Sequence, residues 1–330
     1  MTDLNLNDPK VLENVTQQLR KHNKAVRFER MMDLAKGKEA IPTAVAYPCD
    51  KESLGGAMSA AKEGFIKPLL VGPEAKIREV AQQFGYDLSG AEIIDAPGPV
   101  PAAAKSVALV REGKAEILMK GSLHTDELLS AVVRSETGIR TKRRISHVFI
   151  MDVPAYHKPL LVADAAINIA PTLPEKADIL QNTIELAHIM GIETPKVAII
   201  SAVETINIKM QSTLDAAALC KMADRGQQLK GAIIDGPMAF DNAISKAACE
   251  IKKIDTPVGG DADILLAPDL ITGNTMAKQM EYFGQAAGAG VVLGAQVPIV
   301  LTSRADVAET RMASAAIAVA MAHYYRKNKR

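Results

Sequence analysis

The sequence predicts an α/β fold built on a mostly parallel sheet. Short apolar, β-branched runs of the kind found in buried strands recur along the chain, and segments long enough for crossover helices separate them. This alternation is typical of successive βαβ units. A chain of 330 residues also exceeds the size at which one hydrophobic core usually keeps growing. We therefore expect two domains with a cleft between them.

The individual elements follow from these patterns in chain order. The predicted strands span residues 43–47, 68–72, 117–120, 148–151, 197–200, 232–235, 264–267 and 297–301. The clearest predicted helices span residues 74–84, 174–190, 213–223 and 275–283. Helix starts are marked by Asp8 before Pro9, by a capping box of Thr172 with Glu175, and by Asp241 as an N-cap.

Composition excludes several classes of function. Lys and Arg number 39 against 38 Asp and Glu, so no global field attracts nucleic acid or an anionic membrane. Aromatic residues make up only 4% and Trp is absent, which disfavours a base-stacking surface. The three cysteines, Cys49, Cys220 and Cys249, form no C-x-x-C motif, so neither a disulfide framework nor a zinc site is indicated. With no signal-peptide pattern and no apolar run of about 18 residues, we expect a cytoplasmic protein that acts on small molecules.

Familiar catalytic loops are absent from the sequence. It contains neither a G-x-x-x-x-G-K-[ST] loop nor an H-E-x-x-H motif, and no serine lies in a G-x-S-x-G elbow. Residues 288–294 are rich in glycine, but they precede a predicted strand and no helix opens within them, as a dinucleotide-binding turn would require. We interpret them as a tight connection.

The most informative turn follows the predicted strand 297–301. Ser303 and Arg304 come directly before a long Ala-rich helix, where free backbone N–H groups, a partial positive charge and a planar guanidinium suit a phosphate. A structural role explains the same segment equally well, because Asp306 and Glu309 have the spacing of a capping box.

A second polar turn follows the predicted strand 117–120. Lys120, Ser122, His124 and Thr125 are suitable donors to a phosphate or a polarised carbonyl, and Gly121 permits close backbone approach. A lone histidine at a helix start is nevertheless more often a surface or capping residue.

A third polar turn follows the predicted strand 264–267. That strand delivers Asp269 and then Gly273 and Asn274 to its carboxyl end, where α/β sheets usually bind ligands. We expect this turn to face the same crevice as the other two.

Four segments taken together resemble the phosphate acetyl/butyryltransferase family. They are residues 119–126, 234–245, 261–270 with Gly273 and Asn274, and 301–306, and the likeness runs in order from about residue 40 to the C-terminus. Each segment is modest alone, but four in order with the right alternation of strands and helices make chance similarity improbable.

The resemblance implies a fold, an assembly and a reaction. It implies two three-layer α/β domains with isopropylmalate-dehydrogenase-like sheets, one formed by residues 1–145 plus 299–330 and the other by 146–298. The active site would lie in the interdomain cleft of a homodimer. The reaction would be acyl transfer between coenzyme A (CoA) and inorganic phosphate, by direct thiol attack on the acyl phosphate. CoA would be a substrate, with no permanently bound cofactor and no metal.

The resemblance also assigns roles within the first turn. Ser303 would hydrogen-bond the carbonyl oxygen or the leaving phosphate, and Arg304 would hold the phosphate charge as it develops. Members of the family carry an aspartate, the proposed thiol base, at the position that Thr310 occupies here. Glu309 is the adjacent carboxylate and our first choice of base; Asp306, or a water or phosphate oxygen in place of either, stays open.

The other two turns are expected to bind substrate, with Lys120 supplying the charge of a family arginine that has no clear match here. The motifs look closer to the butyryltransferase-like branch, and the acyl group is acetyl or butyryl. Two alternatives differ in class. One is a subunit that binds CoA or phosphate without turnover, and the other is a decarboxylating dehydrogenase, which needs a nicotinamide site and clustered aspartates.

Overall fold

The structure, a computed structural model, describes residues 24–303 and 306–328. Within these residues, eleven strands form one continuous sheet. The strands are β1 Ile41–Ala46, β2 Ile66–Gly72, β3 Glu92–Asp95, β4 Ile117–Lys120, β5 Ser146–Asp152, β6 Leu160–Ala163, β7 Lys196–Ile200, β8 Ile233–Met238, β9 Ile264–Leu266, β10 Ala287–Leu293 and β11 Ile299–Val300.

Helices connect the strands and cover both faces of the sheet. After a helical stretch at 24–32 they are α1 Lys51–Lys62, α2 Glu74–Phe84, α3 Pro99–Arg111, α4 Thr125–Val132, α5 Leu173–Ile189, α6 Gln211–Asp224, α7 Phe240–Ile244, α8 Lys246–Lys252, α9 Leu270–Tyr282 and α10 Ala308–Lys327. None of the described helices combines the length and the apolarity that crossing a membrane requires.

The sheet has the order β3-β2-β1-β4-β11-β10-β5-β6-β9-β7-β8. The first five strands in this order are mutually parallel, as are the last four. The reversals lie in the middle, because β10 is antiparallel to both β11 and β5, and β5 is antiparallel to β6. The predicted mostly parallel α/β fold is confirmed, while the domain boundaries stay a prediction.

Alternate residues of a strand pack on opposite faces, which produces the layered core. In β1, Val45 packs with helices α1 and α10, whereas Ala44 and Ala46 pack with α3 and α4. In β7, Val197 and Ile199 pack against α5 and α6, and Ala198 and Ile200 pack with the layer that includes α9. Each half of the sheet is therefore a middle layer between two layers of helices.

The interpretation of residues 288–294 as a connection was wrong. Residues 287–293 form β10, which is buried along almost its whole length and bonded to a strand on each side. Packing explains one of its glycines: a Cβ on Gly290 would lie 2.7 Å from the Leu301 carbonyl oxygen and 2.9 Å from Nε2 of the buried His147. Glycine at position 290 thus makes room for a neighbouring backbone and for a side chain from β5.

The predicted helix starts had mixed outcomes. The Thr172 capping box is confirmed, since the Thr172 N–H donates to Oε2 of Glu175 at 2.8 Å. Asp241 is not an N-cap, because α7 begins one residue before it and Ala239 occupies the capping position. Asp241 instead pairs with Lys252 at 3.0 Å. Asp8 and Pro9 lie outside the described residues.

Candidate active site

Three neighbouring parallel strands carry polar turns to one edge of the sheet. β4 lies between β1 and β11 and is parallel to both. The segments that follow these strands therefore leave the sheet side by side, the arrangement in which α/β proteins usually bind ligands. The turns after β4 and β11 contain predicted site residues, and the turn after β1 was not predicted.

The turn after β4 is held tightly against the turn after β1. Lys120 is the last residue of β4 and is buried. The Gly121 N–H donates to the Ala46 carbonyl at 2.9 Å, and a Cβ at Gly121 would collide with the carbonyl oxygens of Ala46 and Tyr47. Glycine at position 121 is thus required by the contact between two backbones.

The hydroxyl of Ser122 links the same two turns. It donates to the Tyr47 carbonyl at 2.9 Å and accepts the Cys49 N–H at 3.3 Å. His124 is the N-cap of α4, and its N–H donates to Oε2 of Glu127 at 2.7 Å. Thr125 begins the helix. The hydroxyl of Ser122 therefore has a structural role, and His124 has the structural role of a helix cap.

The turn after β11 differs from the capping box that its sequence suggests. Oδ2 of Asp306 accepts the N–H of Ser303 at 2.6 Å, and helix α10 starts after Val307 as the N-cap. β11 ends at Val300, so residues 301–303 lead out of the sheet. Glu309 lies in the first turn of α10 and is exposed. Arg304 lies outside the described residues.

Asp306 is a buried carboxyl group surrounded by charges. Burial raises the pKa of Asp306 above its usual value, while the Ser303 N–H and the cations Lys278 and Arg311 oppose that rise. Glu281, on α9 like Lys278, raises the pKa further. Asp306 is only 6% exposed, whereas Glu309 is exposed to solvent. Of the two carboxylates considered from sequence, Asp306 has the perturbed environment typical of functional groups.

Two residues near this turn were missed by sequence reasoning. Arg311 on α10 is 1% exposed and donates to Oγ1 of Thr302 at 2.9 Å and to the Ser303 carbonyl at 3.1 Å. His147 on β5 is fully buried, with Nε2 3.3 Å from the Leu301 carbonyl oxygen, and burial lowers its pKa. The sequence offers no signal for either, because each lies inside a regular element.

The third predicted turn lies elsewhere in the sheet. Asp269 is the N-cap of α9 and accepts the Thr272 N–H at 2.8 Å. A Cβ at Gly273 would collide with the Asp164 carbonyl, and Nδ2 of Asn274 donates to the Ala165 carbonyl at 3.0 Å. β9 runs opposite to β4 and β11, so its carboxyl end does not reach the edge at which they end.

Asp269 instead lines a separate cavity of about 660 Å³. The same cavity contains the buried ion pair of Lys176 with Asp215, whose charged atoms lie 2.6 Å apart. The link between this region and the turn after β11 is helix α9 itself. It begins at Asp269, and its later residue Lys278 is the cation that acts on Asp306.

The fold and its turns define the class of protein first. This is an α/β protein whose parallel strands carry polar turns, suited to an anionic ligand, at their carboxyl ends. A family model described as phosphate acetyl/butaryl transferase matches residues 100–319. Because that match covers well over half of the sequence, the chain belongs to this family of acyltransferases.

Individual relatives agree with that assignment. The chain is 56% identical over 292 residues to a phosphate acetyltransferase of Rhizobium meliloti, a match covering 88% of this chain and 92% of that protein. It is 43% identical over 295 residues to a phosphate butyryltransferase of Clostridium acetobutylicum, covering 89% and 98%. A branched-chain phosphotransacylase from Enterococcus faecalis has a similar structure, with a TM-score of 0.74, 31% identity, and coverage of 86% of this chain and 99% of that one.

Proposed function

We propose that the chain transfers a short acyl group reversibly between CoA and inorganic phosphate, and that the turn between β11 and α10 carries the chemistry. The observation that most supports this location is the buried Asp306 carboxylate, which accepts the Ser303 N–H at 2.6 Å. The turn brings a hydroxyl and a carboxylate together at the end of a buried strand. Arg304 follows Ser303 in the sequence and adds a guanidinium.

The thiol of CoA attacks the carbonyl carbon of the acyl phosphate. A carbon–sulfur bond forms, the bond from the carbonyl carbon to the phosphate oxygen breaks, and the thiol proton passes to a base. Because the Ser303 N–H is engaged by Asp306, we assign the Ser303 hydroxyl to the carbonyl oxygen or the leaving phosphate. Arg304 holds the phosphate charge, an interaction that strengthens as the charge develops.

We assign the base to Asp306 in preference to Glu309. A thiol of ordinary pKa, near 8.5, is deprotonated most effectively by a base whose own pKa is not far below it. Burial raises the pKa of Asp306, which brings it closer to the pKa of the thiol. Glu309 is exposed to solvent, so the structure offers no comparable reason to choose it.

The surrounding groups complete the proposal. Lys120, buried at the end of β4, supplies positive charge beside the reacting phosphate, and residues 121–125 shape the neighbouring turn. Asp269, Gly273 and Asn274 contribute through α9, which holds Lys278 beside Asp306. We further propose that residues 1–145 plus 299–330 form one domain and residues 146–298 the other, with the site in the cleft between them. We also propose that the protein is a homodimer and that it acts in the cytoplasm without a bound cofactor.

We propose acetyl phosphate as the best acyl donor, because identity to the Rhizobium acetyltransferase, 56%, exceeds identity to the Clostridium butyryltransferase, 43%. The test uses purified protein, CoA and a panel of acetyl, propionyl, butyryl and isobutyryl phosphates. Loss of free thiol and formation of acyl-CoA are measured for each donor, and kcat/KM ranks them.

Turnover with the highest kcat/KM for acetyl phosphate supports both the transferase activity and acetyl phosphate as the best donor. A higher value for a longer donor keeps the transferase and replaces the acyl group. Silence across the panel while CoA still binds would instead support the non-catalytic subunit, for which Thr310 in the place of the family aspartate is the main argument.

A further inference from the structure

Arg311 is a charged side chain in a place that ordinarily excludes charge. It lies in the fourth position of α10 and is only 1% exposed, and residues 313–322 of the same helix are buried as well. Burial lowers its pKa. Placing a charge in such surroundings is costly unless it is paired and hydrogen-bonded, and an apolar residue of similar volume often serves stability equally well or better. Stability alone therefore gives a weak reason for an arginine here.

The guanidinium group is hydrogen-bonded to the proposed catalytic turn. One terminal nitrogen donates to Oγ1 of Thr302 at 2.9 Å, and the other donates to the Ser303 carbonyl at 3.1 Å. The planar fork of an arginine makes such a two-point contact directional. Asp306, just before α10, accepts the N–H of the same Ser303. The N–H of Ser303 is therefore held by Asp306 and its carbonyl oxygen by Arg311.

The path of the Arg311 side chain is also built into the fold. A Cβ at Gly56 of α1 would lie 2.7 Å from Cδ and 2.9 Å from Cβ of Arg311, closer than real contacts allow. Glycine at position 56 thus leaves the room that the arginine occupies. The charges that face Arg311 are Asp50 and Glu52, at the start of α1, and Asp306. In the described part of the chain its Nε has no hydrogen-bond partner, so the contacts are concentrated on the turn.

We propose that Arg311 is a positioning residue for acyl transfer: from inside α10 it holds Thr302 and Ser303 so that the Ser303 hydroxyl and the Asp306 carboxylate keep a fixed relation to the reacting atoms. The inference rests on the proposed function. It assigns Arg311 no contact with substrate, because the two hydrogen-bond acceptors of its guanidinium among the described residues both belong to the turn. Its effect is expected in kcat more than in the KM for CoA.

The test compares Arg311→Met, Arg311→Lys and Arg326→Met. Met removes the charge and both hydrogen bonds while keeping the volume, whereas Lys keeps the charge with a single nitrogen. Arg326→Met is the control, because it is the same substitution on the same helix but away from the turn. Arg326 lies at the other end of α10, where it pairs with Glu116 at 2.6 Å. All proteins are assayed at a temperature at which circular dichroism shows them folded.

The expected result is a fall in kcat of about 10- to 100-fold for Arg311→Met, since hydrogen bonds from a charged group are lost. Arg311→Lys should regain part of the loss, and Arg326→Met should match the wild type. The pH profile adds a second readout. Lys278 and Glu281 on α9 and Arg311 on α10 face Asp306, so removing the Arg311 charge should move the acidic limb of kcat/KM to higher pH.

An unchanged kcat and an unchanged acidic limb in folded Arg311→Met would overturn the proposal. So would a loss of activity that only follows the fraction of unfolded protein. If Arg311→Met does not fold, Thr302→Val removes one of the two hydrogen bonds from the other side, and wild-type kcat in that variant would count equally against it. An inactive wild type would contradict the proposed function instead, so the two failures are distinguishable.

Discussion

The turns after β4 and β11 lie side by side but use their polar residues differently. After β4, the hydroxyl of Ser122 is hydrogen-bonded to the backbone of the turn after β1, and His124 caps a helix. After β11, a buried carboxylate and a buried arginine converge on the backbone of Ser303. The first turn shows how polar residues close a turn. In the second, two buried charged groups with perturbed pKa values act on one residue, and such groups cluster at functional sites.

Alanine substitutions at Ser122 and Ser303 test this difference between the two turns, and the larger effect is expected at Ser303. Ser303→Ala should lower kcat by about 100-fold, because a donor to developing charge is lost. Ser122→Ala should lower kcat much less and act mainly on stability, since its hydroxyl is hydrogen-bonded to Tyr47 and Cys49. Initial rates and thermal melts of both variants are the measurement. A larger kcat loss for Ser122→Ala would reverse the roles of the two turns.

A smaller effect is expected from a residue that touches neither turn. Gly56→Ala should lower kcat by about 3- to 10-fold, because its new methyl group would displace Arg311. Gly55→Ala is the matched control: it lies on the same helix, and its methyl group would displace the phenol end of Tyr86 instead of Arg311. Steady-state rates at saturating CoA decide the comparison. Equal rates in the two variants would show that the position of Arg311 does not matter.

The smallest effect concerns pH. Lys278→Met removes a cation that stabilises the ionised form of Asp306, so the pKa of Asp306 should rise further. The base works in its ionised form. As the pH is lowered, the activity of the variant should therefore begin to fall at a higher pH than that of the wild type. The control is Lys221→Met on α6. Lys221 and Lys278 each lie 2.8 Å from an acid three residues later, but the pair of Lys221 is exposed to solvent. An acidic limb that did not move would remove Lys278 from the site.

Much of the fold could be predicted from the sequence where one signal dominates. Helix α2 and strand β4 lie at the predicted residues, because a helical pattern and a fully buried run respectively leave little ambiguity. Strand β3 was missed because it is short and partly exposed, and β10 because its glycines resemble a loop. The need for glycine at position 290 of β10 comes from the Leu301 carbonyl oxygen and from His147, the second of which is far away in the sequence.

The same distinction applies to the site. Ser303 and Asp306 could be proposed from sequence, because polar residues after a buried strand are the usual place for a ligand. Their hydrogen bond could not, since the spacing of Asp306 and Glu309 favoured a capping box that does not form. Arg311 could not be found either, because an arginine within a helix is expected at the surface and only tertiary packing buries it.

The most direct test of the central claim compares two carboxylates near the same helix end. Asp306→Asn and Glu309→Gln each replace an acid by its amide with little change in size, and kcat for acetyl transfer to CoA is measured for both. We expect a loss of about 100-fold or more for Asp306→Asn, as for a removed general base, and a near-normal kcat for Glu309→Gln. Near-normal kcat in Asp306→Asn together with a large loss in Glu309→Gln would contradict the assignment of Asp306 as the base.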